Sequence, residues 1–299
     1  MNKLQKIMDK YQEVLASSQV ESNDANVAAA VEKIVAKASE YASAEVYQYL
    51  FSSIDLTTLS TTDTQSSVEA FVKRVNDFDN DYPQYKNVAA ICVYSNFAEV
   101  VSSTLEVTGV DIAVVAGGFP ASQTFTEIKV AESAMAVAGG ANEVDIVMSL
   151  GYYLDKNYEE MCDEIAEIKD AIKDAKLKVI LETGALQKAE DIKNASLLSM
   201  YSGADFIKTS TGKIYPGASL EAAWVMCQCI KEYYEKTGRK VGFKAAGGIR
   251  TTEEALQYYA IVKEVLGDEW LTQEYFRIGA SSLANSLLST MEGTEVKYF

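Results

Sequence analysis

The sequence predicts an α/β fold, a (β/α)8 TIM barrel with extra N-terminal helices. Three observations carry that expectation. From about Ile54 onward, short β-rich runs alternate with amphipathic helical stretches in one continuous series. The runs number eight, the count that closes a barrel. Several are nearly all apolar, as parallel strands covered on both faces must be. An open doubly wound sheet is the alternative. It usually carries a glycine-rich turn after its first strand, and Asp55-Leu56-Thr57-Thr58-Leu59 has none.

The elements follow in order. Leu4, Ile7, Met8, Tyr11, Val14 and Leu15 recur at helical spacing and form one apolar stripe. The polar stretch Ser17 to Asn26 reads as a loop. A second helix presents Val27, Val31, Ile34, Val35 and Ala38 on one face, with Asn23 or Asp24 as its cap. Residues 1–50 are therefore expected to form a helical extension packed on a barrel of residues 51–299. The expected strands are Ile54–Leu56, Ala89–Val93, Ile112–Val115, Glu143–Val147, Lys178–Leu181, Phe206–Lys208, Val241–Lys244 and Phe276–Ile278. Helices between them have readable starts. Thr126-Glu127 precedes Ile128, Ala131, Met135 and Ala138, and Ser219 leads into Leu220, Ala223, Trp224, Cys227 and Ile230. Thr251 with Glu254 forms a capping box. Gly139-Gly140 and Gly203 stand where a helix must stop before the next strand.

Composition narrows the function. A chain of 299 residues with 48% apolar content can bury a large core. Its formal net charge of −16 repels nucleic acid and anionic membrane over most of the surface, so neither is expected as a partner. An anionic small molecule would then need a locally positive pocket. No stretch has the apolar length of a membrane span, and Met1 to Lys10 lacks a secretory apolar region. Cys92, Cys162, Cys227 and Cys229 are scattered and imply no disulfide framework. Reduced thiols in a cytoplasmic protein fit best. Histidine is absent, which removes Ser-His-Asp and Cys-His catalysis and histidine-ligated zinc. Acid-base work must fall to Lys, Asp, Glu, Tyr or Cys, with no metal or other cofactor expected.

In a barrel, function sits at the C-terminal ends of the strands. The sixth run ends in Lys208, where burial disfavours the ammonium and a neutral amine can attack a carbonyl. A structural lysine paired with a carboxylate is the plain alternative. The seventh run places Lys244 at the same height next door. Two close ammonium groups repel, so each is expected to favour the other's neutral form. In the fourth run, Asp145 lies nearer the catalytic rim and is the candidate for proton transfer. Glu143 lies near the strand start and reads as a structural end residue. Salt bridging of Asp145 to a barrel lysine is compatible with that role. Glycine-rich loops follow runs six, seven and eight, where backbone N–H groups and helix N-termini favour anions. The expected phosphate site comprises Thr211, Gly212, Lys213, Gly247, Gly248, Arg250, Gly279, Ser281 and Ser282.

The strings F-I-K-T-S-T-G-K (206–213), G-F-K-A-A-G-G-I-R (242–250) and R-I-G-A-S-S-L (277–283) resemble signature segments of the class I deoxyribose-phosphate aldolase family. So do N-E-V-D-I-V (142–147), L-E-T-G (181–184), G-F-P (118–120) and D-L-T-T-L (55–59). The resemblance covers roughly residues 50–290. It implies Lys208 as the imine-forming lysine, Lys244 as the lysine that tunes it, and Asp145 as the aspartate of a proton relay. It implies a sugar-phosphate substrate, cleaved from 2-deoxyribose 5-phosphate to glyceraldehyde 3-phosphate and acetaldehyde. Cys92 falls in a strand where the family often has cysteine, with no essential role assigned. Some departures stand out. Ala245 replaces the proline usual after the second lysine, and the N-terminal helices are longer than in many relatives. Some members use a tyrosine near the C-terminus in proton transfer, and Tyr298 is penultimate here. A Schiff-base aldolase for another phosphorylated sugar and a catalytically silent sugar-phosphate-binding barrel are the rival readings. Sequence leaves the oligomeric state open, with a homodimer as the default.

Overall fold

The computed structural model describes residues 3–299, with side chains from residue 10 onward. The apolar positions Leu4, Ile7 and Met8 of the first helical stripe therefore lie outside the described side chains. Eight strands form a closed, all-parallel barrel in sequence order: β1 (Ile54–Thr57), β2 (Ala90–Tyr94), β3 (Asp111–Ala116), β4 (Glu143–Val147), β5 (Lys176–Ile180), β6 (Phe206–Lys208), β7 (Gly242–Ala246) and β8 (Phe276–Ala280). Strand β8 returns to β1, with Ile54 opposite Ile278. Apart from half-buried Gly279 in β8, the strand interiors are buried, because helices cover the outer face and side chains fill the lumen.

Before the barrel come α1 (Lys3–Ser17), α2 (Asp24–Val35) and α3 (Ala44–Ser52). The helices of the barrel layer are α4 (Gln65–Asp81), α5 (Ala98–Thr104), α6 (Thr126–Ala138), α7 (Leu150–Leu154), α8 (Tyr158–Ile172), α9 (Thr183–Leu186), α10 (Ala189–Tyr201), α11 (Leu220–Thr237), α12 (Thr252–Leu266) and α13 (Leu283–Glu292). Helix α1 packs on α8 and α10, while α2 packs on α11 and α12. Buried Tyr11, Val27 and Val31 join the main core.

The structure moves several expected boundaries. Strands β7 and β8 run two residues further toward their C-termini than expected, to Ala246 and Ala280. Glycine and alanine there look like loop, yet the ladder continues through Ala245 opposite Ile278 and Ala246 opposite Gly279. Strand β5 begins two residues early, at Lys176, since a charged side chain at a strand end can reach solvent. Helix α2 stops at Val35, before Ala38, which lies in a 3₁₀ turn over Ala38–Tyr41. Asn23 is its cap, accepting from the N–H groups of Ala25 and Asn26. Both Thr251 with Glu254 and Ser219 cap the helices that follow them. All four cysteines are buried and unpaired. Among the described residues, no helix is long and apolar enough to cross a membrane.

Candidate active site

Strand register places the two lysines together. Lys208 on β6 stands directly opposite Lys244 on β7, and Lys244 stands opposite Arg277 on β8. On the far side, Asp145 on β4 stands opposite Lys178 on β5. Side chains alternate between lumen and helix layer along each strand, and these charged ones point inward, while Ile207 and Phe243 join the apolar core. Phe206, on the Lys208 side of its strand, stacks under the Arg277 guanidinium.

The lumen holds a packed charge cluster. Asp145 Oδ2 accepts from Lys208 Nζ and Lys244 Nζ, each at 2.8 Å, and its Oδ1 accepts from Lys178 Nζ at 2.9 Å. Lys244 also reaches Asp55 Oδ2 at 2.5 Å. Lys178 contacts Glu143 at 2.5 Å and Asp55 at 3.7 Å. Arg277 closes the set with Asp55 at 2.7 Å and Glu143 at 3.0 Å. Three buried carboxylates (Asp55, Glu143, Asp145) thus face four cations (Lys178, Lys208, Lys244, Arg277). Such a cluster is balanced when one lysine is neutral. Unbalanced charge in a low-dielectric interior is heavily penalised, so the ammonium of the lysine with fewest carboxylate partners is the least supported. Lys208 touches Asp145 alone.

The individual groups follow this balance. Burial pushes the Lys208 amine below the ordinary lysine range, and Lys244 adds to the effect against the pull of Asp145. Lys244 shifts the other way. Burial opposes its charge, but Asp145 and Asp55 outweigh burial and hold it above the ordinary range. The expectation that each lysine favours the other's neutral form is therefore corrected. Only Lys208 ends below its ordinary range, because Lys244 has two carboxylates to offset burial and repulsion and Lys208 has one. Asp145 is held well below the carboxylate range, since three lysines outweigh its burial. Glu143 is likewise brought down to about 2 against burial, by Lys178 and Arg277. It is fully buried, so it belongs to the charge cluster and is more than a strand-end residue.

Above the cluster opens a cavity of about 270 Å³ with Lys208 in its wall. Thr211, Gly212, Lys213, Gly247, Gly248, Arg250, Gly279, Ser281 and Ser282 all line it, so the structure brings the expected loop residues together. None of the lining residues is acidic, in a chain of net charge −16. Gly247 and Gly248 adopt φ of 89° and 88°, a region that favours glycine. Ser282 flanks α13 without a side-chain capping bond. Thr211 lines the wall, but its N–H and hydroxyl both donate to Glu182. Lys213 Nζ donates to the Leu59 carbonyl across the mouth.

Tyr298 is placed elsewhere. Its hydroxyl donates to Asp81, the last residue of α4, and its ring packs on Phe78 and Tyr82. Helix α4 runs back from the catalytic rim, so its last residue marks the opposite end of the barrel.

Sequence reasoning passed over Asp55, Lys178 and Arg277 as site residues. Their signal was present: each is a charged residue inside a run otherwise read as a buried strand, and such charges need partners. The carboxylates of the cluster are all engaged by cations, and among the described residues no group of potential ligands is placed to hold a metal.

Comparison with known proteins agrees with this geometry. Residues 50–288 match the model of the DeoC/LacD family aldolase. A deoxyribose-phosphate aldolase of Mus musculus is 42% identical over 248 residues, covering 78% of this chain and 77% of that one. The deoxyribose-phosphate aldolase of Homo sapiens is 41% identical over 248 residues with the same coverage, 78% and 77%. Among solved structures, the tetrameric deoxyribose phosphate aldolase from Aeropyrum pernix has a TM-score of 0.67 at 25% identity, over 86% of this chain and 96% of that one.

Proposed function

Because this chain belongs to the DeoC/LacD aldolase family, we propose that it cleaves 2-deoxy-D-ribose 5-phosphate reversibly to D-glyceraldehyde 3-phosphate and acetaldehyde through an imine on Lys208. The observation that carries the reading is the charge imbalance of the lumen, which singles out Lys208, with a single carboxylate partner, in the wall of an acid-free cavity.

The steps follow from the groups present. The Lys208 lone pair adds to the C1 aldehyde, and the carbinolamine loses water to give a protonated imine. That cation is the electron sink. The C3 hydroxyl loses its proton, the C2–C3 bond breaks, and its electrons move into the imine to leave an enamine. Glyceraldehyde 3-phosphate departs. The enamine takes a proton at C2, and water hydrolyses the resulting imine to acetaldehyde and free Lys208. Asp145, held ionised, is the proton acceptor of the relay, and the Lys244 ammonium is its donor, with water between them and substrate. The imine supplies the electron withdrawal that a Lewis acid would otherwise provide. The loops after β6, β7 and β8 hold the phosphate through backbone N–H groups, Lys213, Arg250, Ser281 and Ser282, which registers C1 against Lys208.

Self-association belongs to the same reading, with a homodimer as the simplest form. Phe125, Ile128 and Met135, all exposed at or beside α6, offer an apolar surface for it, and light scattering reads the state. A cytoplasmic location fits the buried, unpaired thiols.

Borohydride reduction with acetaldehyde tests the chemistry. A stable adduct is expected on the peptide carrying Lys208, absent in Lys208→Ala and retained in Lys213→Ala. An adduct elsewhere, or none on folded protein, rejects the mechanism. Parallel assays with other sugar phosphates identify the preferred substrate.

A further inference from the structure

The motif Leu181-Glu182-Thr183-Gly184 carries a buried carboxylate that the mechanism above does not use. Glu182 follows β5, is 2% exposed, and holds a left-handed backbone with φ 54° and ψ 58°. A side chain other than glycine rarely occupies that region unless its surroundings enforce it. Its side chain is held at both oxygens by Thr211. Glu182 Oε2 accepts from the Thr211 hydroxyl at 2.6 Å, and Oε1 accepts from the Thr211 N–H at 3.1 Å. The Thr211 hydroxyl oxygen in turn accepts from the N–H of Lys213 at 3.2 Å.

We infer that Glu182 is a positioning residue for the anion loop, acting through Thr211 to set where Gly212 and Lys213 meet the substrate phosphate. The inference rests on the sugar-phosphate reading above. Neighbouring contacts serve the same end. The Thr183 N–H donates to the Thr209 carbonyl at 2.9 Å. Gly184 lies so close to the loop that an added Cβ would sit 2.3 Å from the Pro216 carbonyl oxygen. On its other side, Thr209 Oγ1 exchanges hydrogen bonds with Ala246 at 3.0 Å. The loop is thus seated from both flanks, and Glu182 brings a buried carboxylate to that seat.

Two donors of one residue converge on two oxygens, which only a carboxylate can accept together. An amide offers one acceptor and turns an N–H group toward a donor. Lys208, by contrast, is fixed within the β6 ladder by its neighbours Ile180 and Lys244. Loss of the clamp should therefore fall on phosphate recognition more than on the amine.

The test compares Glu182→Gln, Thr211→Val and Thr211→Ser, and the Glu182→Gln/Thr211→Val double variant, on deoxyribose 5-phosphate and on unphosphorylated 2-deoxyribose. In Glu182→Gln and Thr211→Val, kcat/KM for the phosphorylated sugar should fall on the order of 10- to 100-fold, chiefly through KM. Activity on the unphosphorylated sugar should change far less. Thr211→Ser, which keeps both donors, should restore the preference, and the double variant should be no worse than either single one. Equal losses on both sugars, or an unchanged preference in Glu182→Gln, would overturn the inference. Inorganic phosphate supplies a readout independent of turnover. It should raise the melting temperature of the wild-type protein but not of Glu182→Gln. Wild-type protein that is inert toward the sugar yet keeps this difference sinks the substrate reading and leaves the clamp standing. A phosphate response of equal size in both proteins sinks the clamp.

Discussion

Lys208 and Lys244 are the same residue type, one strand apart, and they differ in how many carboxylates each touches. That difference moves their amines in opposite directions, Lys208 below the ordinary lysine range and Lys244 above it, and the proposed reaction uses the first as nucleophile and the second as a fixed cation. Replacing Lys244 by Met removes the like charge that helps keep Lys208 neutral, so the Lys208 amine should titrate at higher pH. The acidic limb of kcat/KM, which falls as Lys208 becomes protonated, should move upward in pH, and kcat should drop about 100-fold or more. A pH–rate profile checks both, and an acidic limb that stays in place would show that Lys244 does not tune the amine. Removing one partner of buried charges should also destabilise by about 3–5 kcal/mol. Much of this residue-level arrangement was legible: a lysine at the end of an apolar strand and a second at matching height are visible without coordinates. The asymmetry between them was not. It depends on Asp55, which comes from β1 at the far end of the chain and reaches Lys244 across the lumen.

Elements were legible where burial is two-sided. Apolar runs such as Ala-Val-Val in β3 and Ala-Ile-Cys-Val in β2 admit little but a covered strand. Short helices were not. Helices α7 and α9 have five and four residues, too few for a period to show. The helices before the barrel also carry a contact that no local pattern reveals. Asp24, first residue of α2, accepts from the N–H of Ala189 at 2.9 Å. Ala189 opens α10, whose flanking Lys188 makes no side-chain cap, so Asp24 caps a helix far away in sequence. Asp24→Ala should then lower stability by about 1 kcal/mol, as loss of an ordinary N-cap does. Because the contact lies outside the lumen, kcat/KM should be unchanged. Urea denaturation beside a steady-state assay decides it, and a variant as stable as wild type would show that water replaces the cap at no loss.

For the molecule as a whole, the charged lumen ties stability to pH. Asp55, Glu143 and Asp145 all titrate below the ordinary carboxylate range in the folded protein, against burial, because lysines and Arg277 surround them. An unfolded carboxylate titrates near ~4. As pH falls through that value the unfolded chain binds protons that the folded one does not, so stability drops. The contribution is present above about pH 4 and is lost progressively toward the folded values, about 2 for Glu143, with both aspartates likewise held below the ordinary carboxylate range. Arg277 is the lever that separates this cause from general acid denaturation. It contacts both Asp55 and Glu143 and is 1% exposed. Arg277→Met leaves two buried carboxylates short of a partner, so stability at pH 7 should fall by about 3–5 kcal/mol. Without that cation the same carboxylates take up protons more readily in the folded state, and protonation relieves the penalty. The gap between wild type and Arg277→Met should therefore shrink as pH is lowered from 7 toward 3. Urea unfolding at several pH values measures it directly. A gap that stays constant across that range would mean that Arg277 supports the barrel by packing and not by balancing its charge.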